Sequence, residues 1–146
     1  MIETNLVKDT ISHLGLALYR GPGVASRSQV VFHAVAFYID GGEATHTVDI
    51  AYIDKEGFAT NGRFSPEIQT AFIELLNVTA DHGPEARWAI FEMVVEKSGG
   101  FEINVQYPEQ TSLNREENFG VSFLELICAK HFPGVPLRAK NTMAEG

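Results

Sequence analysis

The chain is short of cysteine, of basic residues and of long apolar runs, and each shortage removes a class of protein. Its one cysteine, Cys128, has no second thiol in the chain to bridge to. That suits a reducing compartment, so a cytoplasmic setting is expected. No stretch approaches the ~18 consecutive apolar residues of a spanning helix. The opening Met1-Ile2-Glu3-Thr4-Asn5 has neither the basic nor the apolar segment of a secretory signal, and none is expected. Only 11 lysines and arginines stand against 19 acids, for a net charge of −8 with histidines neutral. Such a surface repels phosphates and anionic lipids, so neither nucleic acid nor membrane is expected as a partner. It suits a basic partner protein. It also serves plain solubility.

Catalytic templates are missing too. There is no Gly-x-Gly-x-x-Gly after a strand, no P-loop, no His-Glu-x-x-His and no Gly-x-Ser-x-Gly. His13, His33, His46, His82 and His131 are scattered without ligand spacing, and no metal or cofactor is expected. Cys128 and His131 stand one helical turn apart and could meet. A small buried thiol is the simpler role for Cys128.

What is present reads as one globular domain. The 146 residues are 45% hydrophobic and 21% charged, enough for a core without staples. A domain over 1–135 and a flexible tail over 136–146 are expected. Val7, Ile11, Leu14 and Leu18 mark one face of a helix over 3–19, stopped by Gly21-Pro22-Gly23. Residues 29–39 are nearly all apolar, which suits a central strand or one covered on both faces. Residues 44–53 return antiparallel to it, with Asp40-Gly41-Gly42-Glu43 as the turn. Ser65-Pro66 opens a second helix with a stripe of Ile68, Phe72, Leu75 and Thr79. Asn114 to Glu117 form a capping box for a last helix with Phe119, Phe123, Leu126 and Ile127 inward. The order α-β-β-α-β-β-α predicts an α+β fold, an antiparallel sheet of two hairpins with helices packed on one face.

The second hairpin, 87–97 and 101–107, allows a register to be derived. A three-residue loop, Ser98-Gly99-Gly100, pairs Val95 with Ile103, Met93 with Val105 and Phe91 with Tyr107, with Gly100 in the left-handed region. On the other face that register sets Glu96 against Glu102, with Glu92 two residues along. Opposed like charges disfavour a ladder. They are explained by a cationic partner, or by long solvated side chains that splay apart. Asp40, Glu43, Asp49, Asp54 and Glu56, against only Lys55, form a second acidic cluster on the first hairpin, where turns are commonly acidic. Trp88, on the face of Glu92 and Glu96 in this register, is either core or an exposed interface anchor.

From Arg87-Trp88 through Gly99-Gly100 to Phe101-x-Ile103-x-Val105-x-Tyr107, this hairpin resembles that of the YezG-type immunity proteins. The resemblance implies a small cytoplasmic α+β protein that is not an enzyme and neutralises a toxin, often a nuclease. On this basis the chain is expected to bind a basic toxin domain through Glu92, Glu96, Glu102, Asp40, Glu43, Asp49 and Trp88. Two other expectations stand beside it. One is a small-molecule binder or hydrolytic enzyme with an apolar cup. The other is a subunit of a homo-oligomer, with a homodimer as its simplest form, built on Trp88 and strand 29–39.

Overall fold

In the computed structural model, which describes residues 5–38, 44–81, 87–108 and 122–138, helix α1 runs Asn5–Arg20. Val7, Ile11, Leu14 and Leu18 are buried along one stripe, as their spacing predicts. The Gly21 N–H bonds the Ala17 carbonyl at 3.0 Å, and Pro22 then starts a short helix α2, Pro22–Ala25. Helix α3, Pro66–Asp81, opens with the Ser65 hydroxyl accepting from the Ile68 N–H at 3.4 Å and packs against α1. The stripe of Ile68, Phe72, Leu75 and Thr79 is buried. Among the described residues no helix is long and apolar enough to cross a membrane.

Among the described residues the sheet has five strands: β1 Val30–Tyr38, β2 Ala44–Ile53, β3 Ala59–Asn61, β4 Ile90–Val95 and β5 Phe101–Gln106. Their order is β3-β2-β1-β4-β5, and every ladder is antiparallel. Strand β3 extends the first hairpin past its second turn. There Asp54 Oδ1 accepts from the N–H groups of Glu56 and Phe58, and Gly57 takes φ +91°. A strand of three residues leaves too short a pattern to be read from sequence. The last described helix, α4, is Leu124–His131. The turn at 40–43, the capping box at 114–117 and Phe119 lie outside the described residues.

The fold is α+β as expected, but helices cover both faces of the sheet. Val30, Phe32, Ala34 and Ala36 of β1 join α1 and α3 in the larger core. Val31, Val35 and Phe37 face the other way and pack with Phe123, Ile127, Cys128 and Phe132 around α4. The physical reason lies in β1 itself: a central strand apolar on both faces needs a cover on each. Leu126, expected inward, is 65% exposed. Pro136 to Arg138, expected in the tail, are tied to β3. The Ala59 N–H bonds the Pro136 carbonyl and the Arg138 N–H bonds the Ala59 carbonyl, each at 2.9 Å. Arg138 also pairs with Asp54 at 2.6 Å and lies over the Phe58 ring. Residues 139–146 of that tail lie outside the described residues.

The second hairpin is shifted by two residues from the register derived above. Val95 pairs with Phe101, Met93 with Ile103 and Phe91 with Val105. The Glu96 N–H bonds the Gly100 carbonyl, and the Gly99 N–H closes the turn on the Glu96 carbonyl. The three-residue loop is therefore Lys97-Ser98-Gly99, and Gly99, not Gly100, has the positive φ of 99°. A two-residue shift preserves which side chains share a face, so alternation alone does not choose between the registers. Charge and packing do. Glu102 now opposes Val94 instead of Glu96, and Phe101 gains Val95 as its partner. The Phe101 ring also closes on the bare Cα of Gly15 in α1, where an added Cβ would lie 3.0 Å from it.

Candidate functional site

Strand register assembles a cluster of charges that sequence spacing does not show. His33, in the middle of β1, stands directly across from Asp49 of β2 on one side and Glu92 of β4 on the other. All three are buried, His33 to within 7% of full burial, on the face covered by α4. Burying carboxylates is costly unless they are paired, and each has its own partners. Asp49 Oδ1 accepts from the Ser122 hydroxyl at 2.8 Å and Oδ2 from the Phe123 N–H at 2.9 Å. It thereby fixes the N-terminus of α4, where the helix dipole favours an anion. Glu92 receives Lys130 Nζ at 3.2 Å, and His131 Nε2 lies 3.1 Å away, at ion-pair distance but not aligned as a hydrogen bond. Lys130 and His131 are in the last turn of α4. The two carboxylates thus hold the two ends of one helix.

His33 lies between them with its ring 5.5 Å from that of Phe123. Burial lowers its pKa from the ordinary 6.5, although Glu92 and Asp49 pull the other way. Its Nδ1 is buried and has no hydrogen-bond partner among the described residues. For Glu92, burial pushes the carboxyl up, but His131 and Lys130 together outweigh it and hold it below its ordinary value. Beside this cluster lies a cavity of about 300 Å³. His33, Glu92, Asn104 and Gln106 supply polar lining, and Ile90, Phe123 and Leu126 supply apolar walls. That is the lower end of the size range for small-ligand sites.

Several expected site residues sit elsewhere than a free surface. Glu92 and Asp49 are buried and paired, so neither presents a charge to a partner. Trp88 is 1% exposed and packs with His46, Phe72 and Phe91 in the α1–α3 core, while Tyr38 donates to its carbonyl at 2.7 Å. It precedes the first residue of β4, so strand alternation does not govern where it points. The exposed-anchor role is thus corrected to core. Glu96 and Glu102 are exposed on the second hairpin, but they are not opposed. Asp40 and Glu43 lie outside the described residues. Cys128 is buried, and burial with the nearby Asp49 raises its thiol pKa. That is the reverse of what a nucleophilic thiol needs. Among the described residues no three His, Cys, Asp or Glu side chains converge as a metal site.

Sequence reasoning missed His33, Lys130 and His131. A signal was present: His33 is the one polar residue inside an otherwise apolar central strand. Its meaning depends on which strand lies next to β1, and that pairing is long-range. No known protein-family model matches the chain. No curated protein matches it either.

Proposed function

We propose that this chain is an immunity protein that binds a basic toxin domain, in keeping with the hairpin's resemblance to the YezG-type family. The observation that carries the proposal is the second hairpin. It ends the sheet with Glu96 and Glu102 exposed, and neither has an ion-pair partner among the described residues. On a chain of net charge −8, these acids would attract the cationic phosphate site of a nuclease and speed encounter. Inhibition would follow from covering that site. The acting set is Glu96 and Glu102, without the buried Glu92, Asp49 and Trp88. The test is capture from host lysate at low salt, elution at high salt and mass spectrometry of the eluate. A stoichiometric basic domain from a large secreted protein, lost when Glu96→Lys and Glu102→Lys are combined, is the expected result. Equal capture by the doubly reversed chain would remove the hairpin from the interface.

A second reading, a small-molecule binder, is favoured by the cavity under α4 and by His33 Nδ1 within its lining, which has no hydrogen-bond partner among the described residues. A ligand retained in native mass spectrometry of the purified chain, and lost in His33→Leu, would favour it over the first.

A further inference from the structure

The two edges of the sheet are finished differently. At one end β3 has three residues, and Pro136 to Arg138 lie along it, with a parallel bridge from Ala59 to Leu137. At the other end β5 has six residues, and among the described residues no strand pairs with its outer side. Folded proteins protect such edges with lysine, proline, bulges or a covering segment, because unpaired N–H and C=O groups recruit another strand. Phe101 to Gln106 contain neither lysine nor proline. Phe101 and Ile103 remain 38% and 37% exposed, and Tyr19 of α1 is exposed beside Gly99.

The hydrogen-bond phase says which residues face outward. The Glu96 N–H bonds the Gly100 carbonyl, and the Ala89 N–H bonds the Gln106 carbonyl. In an antiparallel ladder the bonding residues alternate. Even-numbered residues of β5 therefore turn their backbone groups toward β4, and Phe101, Ile103 and Val105 turn theirs outward.

We propose that this edge pairs with the same edge of a second copy, antiparallel about Ile103, to make a continuous ten-stranded sheet. The register is self-complementary. Ile103 meets Ile103 of the second copy, Phe101 meets Val105, and Glu102 meets Asn104, so no like charges oppose one another. The outward-facing residues pair only with outward-facing residues, as the ladder requires. Shifting by two residues in one direction places Glu102 against Glu102, which disfavours that alternative. The pairing uses the backbone edge, leaves the Glu96 turn free and does not depend on the toxin-binding proposal.

The test is sedimentation equilibrium of the full chain over roughly 10–300 µM, a range suited to a small interface. The wild type should approach twice the 16.1 kDa chain mass. Ile103→Lys and Ile103→Glu each place like charges on the two-fold axis and should weaken association by about tenfold or more. Mixed in equal amounts, the two variants should associate again, because lysine then meets glutamate. That recovery also shows that both are folded. A wild type that stays monomeric throughout overturns the proposal and leaves the edge to a strand from another protein. Variants that dimerise as the wild type does, or a mixture that stays monomeric, also overturn it.

Discussion

Asp49→Ala should release the N-terminal end of α4 from the sheet. The substitution removes two hydrogen bonds to an ionised acceptor, from the Ser122 hydroxyl at 2.8 Å and the Phe123 N–H at 2.9 Å. Bonds of this kind contribute about 1.5–3 kcal/mol each, and a buried donor left without a partner costs more than its mean worth. Against this, the variant no longer desolvates a carboxylate, an offset of several kcal/mol. A net loss of about 2–3 kcal/mol is expected, near the upper end of ordinary single substitutions. For a chain of this size that corresponds to a fall in Tm of about 5–10 °C. Asp49→Asn retains one acceptor oxygen and should lose about half as much. Urea titration by far-UV circular dichroism measures the loss. Hydrogen exchange should report faster opening at the Phe123 and Leu124 amides. Trp88 sits in the opposite core, so its fluorescence should remain native while α4 loosens. A loss below about 0.5 kcal/mol for Asp49→Ala, or an equal loss for Asn and Ala, would refute the anchoring role.

Acid should weaken the fold in two stages. His33 has a folded pKa below its ordinary 6.5, so the unfolded chain binds its proton first and stability falls as pH drops below 6.5. His33→Leu should flatten that part of a stability-against-pH curve; an unchanged slope would count against a buried neutral imidazole. His46, also lowered by burial, contributes in the same window and remains in that variant. Glu92 has a folded pKa below its ordinary 4.5, so its contribution is present above 4.5 and lost as pH falls through the folded value. Glu92→Gln should reduce the slope below 4.5 and, by removing the carboxylate that raises the His33 pKa, steepen the His33 stage. The hairpin register has its own test. Gly99→Ala forces a side chain onto φ +99° and should destabilise by about 1 kcal/mol or more, whereas Gly100→Ala meets only Ser98 Oγ at 3.9 Å and should be near neutral. The reverse ranking in urea titrations would favour the register with Gly100 in the left-handed position.

Local patterns were legible wherever one stretch of chain carries its own period. The buried stripes of α1 and α3, the Ser65 cap and the apolar alternation of β5 could all be read before any fold was known. Each depends on residues within one or two turns or along a single strand, so composition and spacing suffice. The α+β class follows from their order. The double cover of the sheet was not read: the apolar run of 29–39 suits either a central strand or one covered on both faces, and the element order alone pointed to helices on one face.

The remainder required strands to find one another. A two-residue slip leaves every side chain of β5 on its own face, so alternation is blind to it; Phe101 against Gly15 and Val95, and the separation of Glu96 from Glu102, select the register. His33, Asp49 and Glu92 are 16 and 43 residues apart along the chain. They become neighbours only because β1 lies between β2 and β4. The same assembly turned Asp49 and Glu92 inward, where the buried carboxylates meet the Ser122 hydroxyl and the Phe123 N–H at the start of α4 and Lys130 with His131 at its end. Periodicity decides which side of a strand a residue occupies. Long-range pairing, governed by burial and charge together, decides what it meets there.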